Sequence, residues 1–320
     1  MKKFALLTAA AMMGLATTAA AQAPVSSTVT QAGAGNDAIA TQTGATTATS
    51  GIDQNGDDNI AEAIQLGADG ASSTILQTGD SNDATATQTG ATGGSLSLID
   101  QDGDGNLAAA TQSGAAQSST INQYSESGAA FPANSATVGQ GGSNNTSLVQ
   151  QGTGAVPVSG NVATVSQVGI GAGSTINQFS DNNDAFVTQT GGTSTITQGT
   201  TAGLGTDNLA TVLQSGGFSD IQQTGSFNIA DVDQAGGDSL VSQSGNDNTA
   251  TVGATTAVEG TSDIFQFGNE NTATLFAQSA GATSTITQNG DSSTANVTQL
   301  GAASSTITQN GFGHIATVNQ

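Results

Sequence analysis

Thirteen times along this chain a five-residue phrase returns in which serine, an aliphatic residue and glutamine hold alternate places. Its closing glutamine stands at 31, 54, 77, 101, 123, 150, 178, 198, 223, 243, 266, 288 and 309, usually 20 to 25 residues after the one before. Four positions earlier stands Ser in twelve copies and Thr146 in the other; two positions earlier stands Ile in ten, with Val29, Leu148 and Val241 in the rest. Residues spaced by two share one face of a β-strand, whereas an amphipathic helix needs spacings of three and four. Self-similarity over a few tens of residues marks a stacked repeat.

A second alternating phrase, NxAxVxQ, follows each first one. Ala holds its third place in all thirteen copies, Asn opens it in eleven and Gln closes it in eleven. The exceptions are Ser293 and His314 for Asn, and Ala254 and Ala277 for Gln. Between the phrases lies QxGxxN, with Gly in ten copies, as a tight reversal with positive φ requires. The fifth, sixth and eighth copies lengthen this link, through "ESGAAFPA", "GAVPVSG" and "TAGLGT", and two of the three prolines, Pro132 and Pro157, lie there. The third, Pro24, precedes the repeats, so no proline interrupts an expected strand.

The residues expected to point inward form columns. In the first strand they run Ser27, Val29 and Gln31, then Ser50, Ile52 and Gln54, then Ser73, Ile75 and Gln77, then Ser97, Ile99 and Gln101. The glutamines continue as Gln123, Gln150, Gln178, Gln198, Gln223, Gln243, Gln266, Gln288 and Gln309. The second strand begins its columns with Asn36, Ala38 and Gln42. Its asparagines continue as Asn59, Asn82, Asn106, Asn134, Asn161, Asn183, Asn208, Asn228, Asn248 and Asn271. Its glutamines continue as Gln65, Gln88, Gln112, Gln140, Gln167, Gln189, Gln214, Gln234, Gln299 and Gln320.

A single copy cannot hold itself together. Burying one Ile and one Val contributes about 4 kcal/mol, and ordering on the order of twenty residues costs several times as much. Stacked copies gain backbone hydrogen bonds at ~4.8 Å and lay identical side chains over one another. A buried carboxamide is costly unless bonded, but in register each Asn or Gln can donate to the copy above and accept from the copy below. The expected fold is therefore all-β: a two-sheet β-solenoid of thirteen strand-turn-strand rungs, cross-β in character. It would be a rod roughly 60 Å long with its sheets about 10 Å apart. With the first repeat close to the expected mature start and Gln320 ending the last, both ends are expected to lack caps, which makes them templates for another copy.

The first residues, MKKFALLTAAAMMGLATTAAAQA, place Lys2 and Lys3 before an apolar run that ends in small residues, the layout of a secretory signal peptide. Residues 1–21 are read as the signal, cut after Ala21, and 22–320 as the mature repeat domain. Both basic residues lie in the leader, so the formal charge of −22 becomes −24 for the mature chain. Such a surface is a poor partner for nucleic acid or anionic lipid, and no segment is apolar enough to suggest membrane insertion. Cysteine is absent, excluding disulfides and thiolate chemistry.

Taken together, a SxIxQxGxxNxAxVxQ repeat behind a signal peptide resembles the bacterial curlin family, the subunits of curli, the extracellular amyloid fibres of Gram-negative biofilms. The resemblance covers essentially the whole mature chain. The family's ladder residues fall here on, for example, Ser73, Gln77, Gly79, Asn82 and Gln88, and on Ser219, Gln223, Gly225, Asn228 and Gln234. The resemblance implies a homopolymeric fibre, export through an outer-membrane secretion pore, a nucleator subunit, and roles in adhesion and biofilm matrix. Thirteen copies exceed the family's usual handful, and the substitutions at Ala254, Ala277, Ser293 and His314 predict a less uniform stretch over about 240–320.

Sharper chemistry fares poorly. Asp100, Asp102, Asp104 and Gly105 match the opening of a calcium loop, but its twelfth position is Thr111, where a bidentate Glu is required. His314, the only histidine, has no partner histidine or cysteine to complete a metal site. No catalytic triad can be assembled, so no enzyme activity, cofactor or metal is expected. The alternative from another class is a capped, monomeric, secreted solenoid, ice-binding or adhesive. Outward TxT pairs occur in the first strand only at Thr28 and Thr30, Thr195 and Thr197, Thr285 and Thr287, and Thr306 and Thr308, too scattered for an ice lattice.

Overall fold

Period-two patterning is realised throughout. The computed structural model describes residues 25–126, 133–200, 205–254, 260–277 and 281–320, in which 26 strands and no helix are found. The signal segment, Pro24, Pro132 and most of the "ESGAAFPA" and "TAGLGT" links lie outside the described residues.

Two parallel sheets of 13 strands each are built from alternate strands of the chain. The first contains β1 (Ser26–Ala32), β3 (Thr49–Asn55), β5 (Ser72–Thr78), β7 (Leu96–Asp102), β9 (Ser118–Tyr124), β11 (Thr146–Gln151), β13 (Gly173–Gln178), β15 (Thr193–Gln198), β17 (Phe218–Thr224), β19 (Asp238–Ser244), β21 (Thr261–Phe267), β23 (Thr283–Asn289) and β25 (Ser304–Asn310). The second contains β2 (Asp37–Thr43), β4 (Ile60–Leu66), β6 (Asp83–Thr92), β8 (Leu107–Ala115), β10 (Ser135–Ser143), β12 (Val162–Ile170), β14 (Asp184–Gln189), β16 (Leu209–Gln214), β18 (Ile229–Gln234), β20 (Thr249–Ala254), β22 (Thr272–Ala277), β24 (Thr294–Gln299) and β26 (Ile315–Asn319). Each rung is one odd and one even strand, and the chain is a two-sheet β-solenoid. Every strand pairs with the equivalent strand of the next rung, so Ile52 lies over Val29 and Ala61 over Ala38.

Between the inner faces runs one continuous apolar core. Ile75, Ile99, Ile121, Ile176, Ile196 and Ile221 of the first sheet are fully buried, facing pairs such as Ala84 with Ala86 and Ala185 with Val187 in the second. A bulky residue opposite small ones lets the two faces interdigitate across the narrow space between sheets. At the link between the strands, Gly33, Gly56, Gly79, Gly103, Gly225, Gly245, Gly268, Gly290 and Gly311 all take positive φ. Gly245 shows the need most plainly: its φ is 118° and a Cβ there would lie 2.0 Å from the Gly268 carbonyl oxygen of the next rung.

One register differs from expectation. β11 points Ser147, Val149 and Gln151 inward, and leaves Thr146, Leu148 and Gln150 on the outer face. Gln151 lies opposite Gln123 and Gln178, and Ser147 opposite Ser119 and Ser174. The doublets Leu148-Val149 and Gln150-Gln151 satisfy either phase, and alignment of Ser147 with the serines of both neighbours selects the second, because a one-residue slip would turn every side chain over. Gln150 is therefore not a ladder residue; Gln151 is. Serine then stands at the first inward place of all thirteen rungs.

Candidate functional site: the stacked amide ladders

The first-strand glutamines form an uninterrupted column. Gln31 Nε2 donates to Gln54 Oε1 at 2.8 Å, Gln54 to Gln77 at 2.8 Å, Gln77 to Gln101 at 2.9 Å, and Gln101 to Gln123 at 2.8 Å. The series passes through Gln151, Gln178, Gln198, Gln223, Gln243, Gln266 and Gln288, and ends with Gln288 donating to Gln309 at 2.9 Å. All twelve bonds donate in one direction. From Gln54 onward the second proton ties the glutamine to the second sheet of the preceding rung: Gln77 Nε2 also donates to the Ile60 carbonyl at 2.8 Å, and Gln101 Nε2 to that of Asp83 at 3.1 Å. Both donors and the acceptor are thus used, which makes burial of these carboxamides tolerable.

The asparagine column adds backbone bonds to a side-chain ladder, in which Nδ2 of Asn82, Asn106, Asn134, Asn161, Asn208, Asn228, Asn248 and Asn271 donates to Oδ1 of the asparagine one rung below at 2.9 to 3.4 Å. Each Oδ1 mainly accepts the backbone N–H of the next asparagine, as Asn36 does from Asn59 at 2.9 Å and Asn161 from Asn183 at 2.8 Å. Its Nδ2 donates to a turn carbonyl of the rung above, as Asn59 does to Gly79 and Asn248 to Gly268, both at 2.7 Å. Side chain and turn are therefore locked together across rungs. In the sixth link, which has no glycine at this place, Val158 is buried and offers its carbonyl to Asn134 Nδ2 at 2.8 Å. Ser293 continues the column by accepting the His314 backbone N–H at 3.3 Å, while His314 itself is exposed with Nε2 2.9 Å from the Asn310 carbonyl oxygen.

The second-strand glutamines make a ladder with a gap. Gln42, Gln65, Gln88, Gln112, Gln140, Gln167, Gln189 and Gln214 are joined Nε2 to Oε1 at 2.7 to 3.2 Å. There the series stops. Gln234 faces Ala254 in the next rung, which offers no side-chain acceptor. Its amide turns to the Phe218 and Gly237 carbonyls and accepts from Ser239 Oγ at 2.8 Å, leaving the buried Gln214 Nε2 without a partner. The column resumes at Gln299, 3.5 Å from Gln320. The expected irregularity over 240–320 is thus confined to one sheet and begins earlier, at Gln214.

Serine is the exception to the idea that repetition satisfies every buried polar group. Oγ of Ser50, Ser73, Ser97, Ser119, Ser147, Ser174, Ser194 and Ser219 has no partner. In these rungs the spacing of ~4.8 Å holds stacked hydroxyls beyond hydrogen-bond reach, whereas Oγ of Ser284 and Ser305 further along the column lie 3.1 Å apart. Where the opposite glutamine leaves its ladder or closes it, serine finds that oxygen instead, as Ser239 does on Gln234 and Ser284 on Gln299.

The return turn between rungs adds an inward column not anticipated from the sequence. Ala48, Ala71, Ser95, Gln117, Asn145 and Ala172 are buried there, and the carbonyl of each accepts from the strand N–H one rung below, as Ala71 does from Thr49 at 2.9 Å. The signal was present: two residues before each ladder serine from Ser50 onward stands Ala, Gly, Ser or an amide.

Outside, the walls carry carboxylates with no Lys or Arg among the described residues. Burial holds the carboxyls of Asp100, Asp184, Asp220, Asp231 and Asp263 above the ordinary range; Asp102, Asp207, Asp233 and Asp238 add repulsion to the first, second, fourth and fifth, while a hydrogen bond from Gln222 opposes the rise at Asp220. No group of residues with metal-ligating arrangement is found among the described residues. The apolar and amide columns stop at rungs whose strand edges are unpaired among the described residues: β1 and β2 at one end, β25 and β26 at the other. No protein-family model and no curated protein matches the chain.

Proposed function

We propose that this chain is a structural, non-enzymatic subunit of an extracellular, curli-like amyloid fibre, in which copies add end to end and continue the ladders of the rod. The supporting observation is the one-way glutamine column. Among the described residues Gln309 Nε2 has no glutamine above it and Gln31 Oε1 none below, so the rung of β25 and β26 complements that of β1 and β2 in a second copy. Open parallel edges on both sheets add the backbone bonds of another rung. Stacking is heterologous and does not close, the geometry that yields filaments. In this reading the fibre supports surface adhesion and biofilm matrix on a Gram-negative cell, after export through an outer-membrane pore and nucleation by a second subunit.

The test is to purify residues 22–320 in denaturant, dilute, and follow thioflavin fluorescence, electron microscopy and fibre diffraction. Unbranched fibres with a meridional reflection near ~4.8 Å are expected. A chain that stays monomeric, folded and thioflavin-negative would instead support a capped, secreted solenoid.

A further inference from the structure

Charge is not spread evenly along the rod. Of the 24 carboxylates in the sequence, residues 105–180 contain one, Glu126, which is exposed in the link after β9. On the second sheet this leaves the outward faces of β8, β10 and β12 without any ionisable side chain. These three strands pair in strict register over nine residues, Leu107 with Ser135 and Val162 at one end, Ala115 with Ser143 and Ile170 at the other. In the column of Leu107 the patch is framed by Asp83 on β6 and Asp184 on β14.

The patch is flat and partly apolar. Outward Gly139 and Gly141 on β10 lower its middle, while Leu107, Val168 and Ile170 stand 47%, 61% and 74% exposed. Every charge on the described walls is negative and no basic residue among the described ones can relieve it, so two copies approaching side by side repel except where both are neutral. β20, β22, β24 and β26 also lack ionisable side chains, but they are strands of five or six residues, and the nine-residue register of β8, β10 and β12 makes theirs the wider neutral strip.

We propose that the outward face of β8, β10 and β12 is a homophilic lateral contact, through which fibres of this chain pack side by side against the same face of a second copy. This rests on the fibre reading above. Three strands of nine residues cover about 14 by 30 Å, or about 400 Å² per copy. Two such faces bury less than the 1,200 Å² or so of a stable pairwise interface, so single chains do not dimerise through it. Along a fibre the face recurs once per subunit, and the repeated weak contacts act together.

The experiment compares fibres of the wild type with Thr164→Asp and Ser166→Asp, both outward on β12, and with Thr85→Asp, in the same outward column as Thr164 but on β6. Thioflavin kinetics establish that each forms fibres, and low-speed sedimentation with electron microscopy measures bundling. The β12 variants are expected to bundle about fivefold less at physiological salt, and Thr85→Asp to match the wild type, since like charges would face each other only at the contact. Raising salt to about 1 M shortens the screening length to about 3 Å and should restore bundling. Fibres that bundle regardless of these charges, or lose bundling equally in all three variants, overturn the lateral contact alone. A wild type that forms no fibres overturns the fibre reading itself.

Discussion

A single ladder glutamine serves three partners, and its loss strands two neighbours. In Gln101→Ala, the Gln77 amide loses its acceptor and Gln123 Oε1 its donor, while the Asp83 carbonyl loses the bond that ties β7 to β6 of the preceding rung across the two sheets. Leaving such groups buried and unpaired costs about 1–3 kcal/mol each way. The outward Thr74→Ala should cost less than about 0.5 kcal/mol. Fibre growth of the two variants checks this: Gln101→Ala should elongate much more slowly, and equal rates would contradict the ladder as the source of cohesion. The Ser, Ile and Gln columns could be read directly from the sequence because a period of two fixes which side chains turn inward. Gln150 could not be placed by that period alone, since Leu148-Val149 and Gln150-Gln151 fit both phases. The phrase Ser147, Val149, Gln151 nevertheless matches the repeat better than Thr146, Leu148, Gln150. The asparagine side-chain ladder was legible in the same way, but its additional bonds to backbone N–H groups and turn carbonyls were not, because Oδ1 and Nδ2 select those neighbours only once the turn geometry exists.

Neighbouring strands differ in how firmly they are held, although their sequences look alike. β17, β19 and β21 share the unbroken column through Gln223, Gln243 and Gln266, whereas the facing β18, β20 and β22 lie across the gap that begins at Gln214. Losing about one net hydrogen bond per rung, roughly 1 kcal/mol, should make amides of β18, β20 and β22 exchange about fivefold faster than those of β17, β19 and β21. Hydrogen exchange read by mass spectrometry of proteolysed fibres measures the difference, and equal protection would show that backbone pairing alone sets local stability. The substitutions at Ala254 and Ala277 announced this gap in the sequence. Its spread back to Gln214 did not show there, because it follows from Gln234 turning to the Gly237 carbonyl and Ser239.

Across the whole molecule, acidic walls and a neutral interior set a pH dependence of definite sign. Asp100, Asp184, Asp220, Asp231 and Asp263 have folded-state pKa values raised chiefly by burial. In the interval between their unfolded and raised folded values the folded chain binds more protons than the unfolded one, so stability falls as pH rises through that interval and grows on acidification. The guanidinium midpoint should therefore be higher near the top of the carboxylate range than at pH 7.5, and a lower midpoint on mild acidification would contradict the placement of these groups. Thirteen-rung stacking was legible from the spacing; the neutral belt on β8, β10 and β12 was not recognised as a surface until the register placed those strands side by side. The glutamine column has one further consequence. In a parallel sheet successive backbone amides point alternately up and down and their dipoles largely cancel, but the thirteen side-chain amides from Gln31 to Gln309 are aligned in one sense. They sum as peptide units do in a helix, giving the rod a partial positive pole at Gln309 and a partial negative pole at Gln31. Opposite poles attract and like poles repel, so in the proposed fibre each arriving subunit would be oriented by the field of the rod before any strand has paired.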